Sequence, residues 1–115
     1  MYDFRKLSRR DFQDLKQQGF SVVSRYFVFV HYARLEEGRG IAVIASKRIG
    51  NAVMRNYAKR RLRVLFRTVG KDLKQGINYL LVARQRLLYS RYDKVLTEFH
   101  RILLQEELLF FSIPE

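Results

Sequence analysis

Residues 46–63 read SKRIGNAVMRNYAKRRLR, and the interpretation of the whole chain depends on this stretch. It contains seven basic residues and no acidic one, and no Asp or Glu occurs anywhere between Glu37 and Asp72. Such a block of like charge in a compact chain requires a polyanion or abundant solvent beside it.

The block fits one long helix. Asn51 is a suitable N-cap after Gly50, no proline follows, and the next glycine is Gly70. At about 100° per residue, most basic residues fall on one face and the apolar residues on the other. Arg61 is the basic residue that does not fit this division. We call the polar face the cationic ridge; its members are Arg55, Asn56, Lys59, Arg60, Arg63 and Arg67.

The ridge differs from an ordinary solvated helix face. Such faces usually mix both signs, because opposite charges four residues apart stabilise a helix and like charges repel. Here Arg55 precedes Lys59, and Lys59 precedes Arg63, with no acid to relieve them. Arginine predominates, and its planar fork suits phosphate oxygens. The pattern therefore favours nucleic-acid binding over a merely solvated face.

Composition limits the number of domains, the kind of partner and the compartment that the chain can have. The 115 residues suffice for one domain with one modest core, and 48% hydrophobic content excludes a wholly disordered chain. The net charge of +12 indicates an anionic partner, nucleic acid or an acidic membrane surface. Arg25 interrupts the best apolar run, so no membrane span is expected. The sequence lacks cysteine, and its start lacks an apolar signal core, so we expect a cytoplasmic protein with no membrane partner.

The remaining elements follow from local signals. Ser8 and Asp11 predict a capping box, with Leu7 and Phe12 as a hydrophobic staple. Ser90 is the predicted cap of the last helix. The predicted elements are a helix at 9–18, extended chain at 20–33 that Ser24-Arg25 can split, a turn at 35–40, strands at 41–46 and 77–83, and helices after Asn51 and Ser90.

This order predicts an α+β fold: a single-domain sandwich with the order helix, strands, basic helix, strand, helix (αβββαβα-like) around a small central sheet. We expect residues 1–115 to form one nucleic-acid-binding domain, with irregular chain at 1–6 and 108–115. Between Tyr26 and Tyr32 both alternating sets of side chains are largely apolar. That strand is either covered on both faces or presents an exposed aromatic platform.

The motif Arg55-Asn56-x-x-Lys59-Arg60-x-x-Arg63, preceded by residues 46–53, resembles the signature of the bacterial ribonuclease P protein family. The resemblance covers nearly the whole predicted order of elements. It implies an unusual left-handed βαβ crossover around the basic helix, whereas general handedness rules predict the opposite.

Catalysis by the protein itself is not expected. His31 and His100 lie in separate elements, the acids are scattered, and no metal-ligand spacing or phosphate loop is recognisable. The resemblance implies that the RNA subunit performs the chemistry with bound magnesium. It also implies that the protein binds the ribonuclease P catalytic RNA and the 5′ leader of precursor tRNA, with no small-molecule substrate.

The resemblance also implies two sets of site residues. Lys16 and Val30 stand where some relatives carry aromatic residues, so leader stacking is expected to be weaker or shifted here. The RNA-binding set is Lys47, Arg48, Asn51, Arg55, Asn56, Lys59, Arg60, Arg63 and Arg67. The leader-cleft set is Phe12, Lys16, Tyr26, Val28, Val30, Ser46 and Arg84.

Two alternative functions would explain the positive charge but not the detailed motif. A ribosomal or other structural RNA-binding protein would need the same ridge but would have no processing role. A double-stranded DNA binder would place the basic helix in a major groove, yet no helix-turn-helix pairing is recognisable.

Overall fold

The fold is one five-stranded sheet with helices on both of its faces. The computed structural model describes residues 4–34 and 37–109. The strands are β1 (Phe4–Lys6), β2 (Phe20–Val23), β3 (Phe27–Ala33), β4 (Arg39–Ile44) and β5 (Ile77–Ala83). The helices are α1 (Arg9–Gln18), α2 (Ala52–Val69) and α3 (Tyr92–Gln105), with short 3₁₀ turns at Lys47–Ile49, Gly70–Asp72 and Gln85–Tyr89.

The strand order across the sheet is β1-β4-β5-β3-β2. β4 runs parallel to both β1 and β5, whereas β3 is antiparallel to β5 and β2. β4, α2 and β5 thus form a βαβ unit between neighbouring parallel strands. The α+β class predicted from the sequence is confirmed, and the left hand of this crossover stays a prediction.

The alternation of strand side chains divides the core into two parts. Tyr79 and Leu81 of β5 point to the larger part, where α2 and α3 pack. Leu80 lies in a smaller cluster with Leu15 of α1 and Val30 of β3. Helices therefore pack on both faces of β3, and Phe27, Phe29 and Val30 are buried, which favours burial over an exposed aromatic platform. Val28, on the face toward α1, is half-buried.

Local capping signals account for two helix starts. At α1, the Asp11 N–H donates to Ser8 Oγ (3.1 Å) and the Ser8 N–H donates to Asp11 Oδ2 (3.3 Å), the reciprocal bonds of a capping box. At α2, the Met54 N–H donates to Asn51 Oδ1 (2.9 Å). Gly70 ends α2 with φ of 43°, a conformation that glycine adopts without steric cost. These predicted boundaries are confirmed.

Both expected irregular ends contain ordered chain. Phe4–Lys6 pairs with β4, and the Phe4 ring lies 6.2 Å from that of Phe66. Near the other end, Leu108 is buried, and Leu109 forms a bridge with Leu73. Residues 110–115 of the expected tail lie outside the described residues, as do residues 35 and 36 of the expected turn.

Two further predictions are wrong in detail. β4 begins at Arg39, inside the predicted turn, and ends at Ile44. Ser90 does not cap α3: its hydroxyl donates to the Arg86 carbonyl (2.7 Å), and Arg91 occupies the N-cap without a side-chain bond. The described residues include no helix long and apolar enough to cross a membrane.

Candidate RNA-binding surfaces

The cationic ridge exists because the opposite face of α2 is buried. Ala58, Leu62, Leu65 and Phe66 are fully enclosed in the larger core. This fixes the helix rotation and leaves the ridge facing outward. Asn56, Arg60, Arg63 and Arg67 are exposed, and Arg55 and Lys59 are half-buried.

The described residues leave the positive charges of the ridge without neutralising carboxylates. Among residues 4–34 and 37–109, no ion pair joins a carboxylate to any of its basic side chains. Arg55 has a structural role, because its guanidinium donates to the Gly50 carbonyl (2.8 Å) and so supports the turn that leads into α2. Among the described residues, Arg60, Arg63 and Arg67 have no such bond, so their exposed side chains are available to a ligand.

Arg61, the residue that did not fit the ridge, has a structural role. Its guanidinium donates to the Leu87 carbonyl and lies 5.7 Å from the centre of the Tyr57 ring. The bond ties α2 to the segment that follows β5. The adjacent residues Arg60 and Arg61 therefore differ: Arg60 is exposed, and Arg61 joins α2 to the segment after β5.

The connection between β4 and α2 extends the basic surface. Lys47 and Arg48 are exposed in a 3₁₀ turn, and Ser46 caps this turn by accepting the Arg48 N–H (3.3 Å). The Gln85 side-chain amide donates to the Arg48 carbonyl (2.7 Å), which fixes the turn against the end of β5. Asn51 is exposed, and its side chain is engaged in capping α2.

The second surface is an apolar cleft between α1 and the sheet. A cavity of about 260 Å³ lies there, and Phe12, Lys16 and Val30 contribute to its lining. The ammonium of Lys16 lies 5.7 Å from the centre of the Phe12 ring. Val28 packs against the same small cluster. The structure thus brings together four of the seven predicted cleft residues.

Tyr26 does not belong to this cleft. It is 8% exposed and lies in the larger core, on the other face of the sheet from Val28 and Val30. The chain bends at residues 24–26, where the Tyr26 N–H donates to Ser24 Oγ (3.1 Å), and strand pairing starts only at Phe27. The alternation of β3 therefore does not extend back to Tyr26, and its predicted position is wrong.

Ser46 and Arg84 lie at the end of the sheet toward which the cleft runs. Ile44 and Val82 are register partners in β4 and β5, and Ser46 and Arg84 each follow two residues later. Both residues are exposed. Arg84 also donates to the Ser24 carbonyl (2.8 Å), so it braces the bend before β3.

Sequence reasoning did not place Arg25 and Arg86 in any site. Together with Arg84 and Gln85 they line an open cavity of about 470 Å³ at this end of the sheet. Arg25 gave a weak signal, because it interrupts an apolar run. Only the strand register brings it beside residues 84–86.

The titratable side chains of His31 and Tyr79 make contacts that hold the fold together. His31 Nε2 lies 2.9 Å from Glu106 Oε1, which links β3 to the end of α3, and His100 is exposed. Burial raises the pKa of the Tyr79 phenol, whose hydroxyl donates to the Lys74 carbonyl (2.7 Å). Within residues 4–34 and 37–109, no group of three or more His, Cys, Asp or Glu side chains is placed to hold a metal ion.

An α+β domain with a cationic helix on one face and an apolar cleft on the other has the two kinds of surface that RNA-binding proteins use. Comparison with known proteins identifies the family. The family model described as Ribonuclease P matches residues 3–107. The chain therefore belongs to the ribonuclease P protein family.

Individual relatives agree with this assignment. The chain is 30% identical over 106 residues to the ribonuclease P protein component of Streptococcus pyogenes, which covers 92% of this chain and 88% of that protein. Its fold matches the RNase P protein of Staphylococcus aureus with a TM-score of 0.77 at 24% identity, covering 90% and 95% of the two chains. The match to the Thermotoga maritima RNase P protein has a TM-score of 0.75 at 23% identity, covering 86% and 94%.

Family membership confirms the function expected from the motif. The chain is a protein subunit of an endoribonuclease that processes tRNA, and the protein alone is not the catalyst. The alternative of a ribosomal or other structural RNA-binding protein is not favoured.

Proposed function

We propose that the chain binds the catalytic RNA of ribonuclease P through the cationic ridge and the adjoining Lys47 and Arg48. We propose further that the cleft between α1 and the sheet receives the single-stranded 5′ leader of precursor tRNA. The RNA then cleaves the precursor with magnesium as its metal ion. In this assignment residues 1–115 act as one RNA-binding domain.

One observation carries the proposal. Arg63 of the ridge and Phe12 of the cleft line the same open groove, whose volume is about 510 Å³. The groove passes β1, where Arg5 and Lys6 add further basic side chains. An RNA held on the ridge and a strand lying in the cleft would therefore occupy neighbouring parts of one continuous surface.

The two surfaces suit different parts of RNA. Exposed guanidinium groups bind phosphates whatever the sequence, with affinity that falls as salt rises. The cleft offers a half-buried aromatic ring with Lys16 beside it, a combination that suits an unstacked base and its phosphate. Single-stranded RNA exposes its bases in this way, whereas a duplex does not.

Reconstitution with a bacterial ribonuclease P RNA tests the proposal. Equilibrium binding to precursor tRNA and to mature tRNA would be measured at low magnesium, with and without the protein. We expect the protein to favour the precursor, with about 1–3 kcal/mol for each stacked leader base. The advantage should disappear when the leader is trimmed to one nucleotide.

A protein that only stabilised the catalytic RNA would improve the binding of precursor and mature tRNA equally. That result would contradict the leader cleft. Specific cleavage of precursor tRNA by the protein without any RNA subunit would contradict the division of roles.

A further inference from the structure

The side chain of Gln85 joins two segments that are distant in the chain. Gln85 follows β5, and its side-chain amide donates to the carbonyl of Arg48 (2.7 Å), 37 positions earlier. That carbonyl belongs to the 3₁₀ turn Lys47–Ile49, which presents the exposed side chains of Lys47 and Arg48. Gln85 is in neither of the two predicted sets of site residues, and this bond is its link to the basic surface.

The turn is held at both of its ends as well. At its C-terminal end Ile49 is buried, and the Arg55 guanidinium donates to the Gly50 carbonyl (2.8 Å). At its N-terminal end Ser46 Oγ accepts the Arg48 N–H (3.3 Å). The amide from the end of β5 then holds the carbonyl of the same arginine. Both polar backbone groups of Arg48 are therefore bonded to side chains, while its own side chain is exposed.

Without such restraint, the charges of the turn would favour a more open backbone. Lys47 and Arg48 are adjacent, and the first cations of the ridge follow within a few positions at Arg55 and Lys59. Within the part of the chain that the structure describes, no carboxylate forms an ion pair with Lys47 or Arg48. Like charges repel, so an exposed turn that carries them is driven apart unless another contact holds it.

A neutral amide is well suited to hold a turn that binds phosphates. A carboxylate in the same place would compete with phosphates for the two cations, and its attraction would weaken as salt rises. The bond from an amide to a carbonyl adds no negative charge to the surface. An ordered turn also avoids the loss of conformational entropy that a mobile loop undergoes when it binds a ligand.

We propose that Gln85 is a positioning residue for RNA binding. It acts through the Arg48 carbonyl and holds Lys47 and Arg48 where they meet the catalytic RNA. This inference rests on the proposed function, because it requires the turn to contact that RNA. Removal of the Gln85 amide should therefore weaken binding without removing any phosphate contact.

The test is a titration of the full chain against a bacterial ribonuclease P RNA across a range of salt concentrations. The variant Gln85→Met keeps an unbranched side chain of similar length, removes the donor and changes no charge. The control Gln105→Met removes an exposed amide from the end of α3, where its oxygen accepts a bond from Arg101 (3.1 Å). Circular dichroism and thermal unfolding establish that each variant folds.

We expect Gln85→Met to bind the RNA about threefold to tenfold more weakly than wild type, because the turn must now be ordered on binding. The slope of log affinity against log salt should stay the same, since no cation is lost. On a Lys47→Ala/Arg48→Ala background the substitution should have no further effect on affinity, because the side chains that it positions are absent. The control should match wild type.

Each other outcome overturns a particular statement. If Gln85→Met binds the RNA as tightly as wild type, the positioning role is wrong and the proposed function stands. If its salt slope falls, or if it loses as much affinity on the Lys47→Ala/Arg48→Ala background, Gln85 affects binding by another route and the positioning role is again wrong. If Lys47→Ala/Arg48→Ala itself binds as tightly as wild type, the turn does not contact the RNA. That part of the proposed function then fails, and the inference fails with it.

Discussion

The cationic ridge and the proposed leader cleft differ in whether the same residues serve both folding and the proposed RNA binding. On α2, Leu62 and Phe66 anchor the helix in the core, while Arg60 and Arg63 stand in solvent on the other side. Folding and the proposed RNA binding are therefore expected to depend on different residues of this helix. In the cleft, Phe12 both packs against the small cluster under α1 and lines the proposed binding surface.

This difference has a physical origin. A surface that recognises phosphates by charge works best when its side chains reach into solvent, and such side chains contribute little to the core. A surface that recognises bases by stacking must be apolar, and apolar groups beside a sheet become part of its packing. A substitution on the ridge should thus affect binding alone, and one in the cleft should affect both properties.

The largest effect is expected where the cleft meets the core. Leu15 is 1% exposed, and Leu15→Ala should lower the free energy of unfolding by about 2–5 kcal/mol. Phe12 is half-buried, so Phe12→Ala should cost about 1–2 kcal/mol of stability. It should also weaken long-leader precursor binding by about 1–3 kcal/mol through lost stacking.

Denaturant unfolding measures the two losses of stability. Binding of precursors with leaders of graded length measures the loss of affinity. Leu15→Ala is the control for packing, because its side chain lies beneath the cleft. If folded Leu15→Ala and Phe12→Ala reduce the leader-length dependence equally, Phe12 acts only as a core residue.

Substitution on the ridge should have an intermediate effect, confined to binding. Arg60→Ala/Arg63→Ala should weaken binding to the catalytic RNA by about ten- to a hundredfold. The salt slope should fall by roughly 0.7–0.9 for each lost phosphate contact, and stability should stay within about 0.5 kcal/mol of wild type.

Arg91→Ala/Lys94→Ala removes the same charge from the N-cap and first turn of α3 and is the matched control for nonspecific attraction. Filter binding or fluorescence titration across a range of salt concentrations provides the measurement. Unchanged affinity and salt slope in the Arg60/Arg63 variant would show that the RNA does not contact this face.

The elements that could be predicted from the sequence are those whose determining residues lie close together in the chain. The ridge was predictable because its residues share one helix whose caps, Asn51 and Gly70, stand in the sequence. The periodicity of that helix then gives the exposed face directly. The capping box of Ser8 and Asp11 fixed α1 in the same way. In both helices the determining interactions lie within a few residues of one another.

The predictions that failed depend on contacts between distant residues or on a change of backbone direction. β1 has three residues and exists because it pairs with β4, more than thirty positions away in the chain. The bend at residues 24–26 turns Tyr26 to the other face of the sheet. At α3, the Asp93 carboxylate accepts its neighbour's N–H, that of Lys94 (2.9 Å), instead of completing a box with Ser90.

The smallest expected effect separates two adjacent arginines of α2. Arg61 is bonded to the Leu87 carbonyl and lies against the Tyr57 ring, so Arg61→Ala should lower the free energy of unfolding by about 1–2 kcal/mol. Arg60 is exposed and makes no such bond with any residue that the structure describes, so Arg60→Ala should leave stability almost unchanged and weaken RNA binding. Each variant is the charge-matched control for the other. Stability is measured by denaturant unfolding and affinity by RNA titration of both variants. If the two variants lose stability and affinity equally, the predicted difference between Arg60 and Arg61 is wrong.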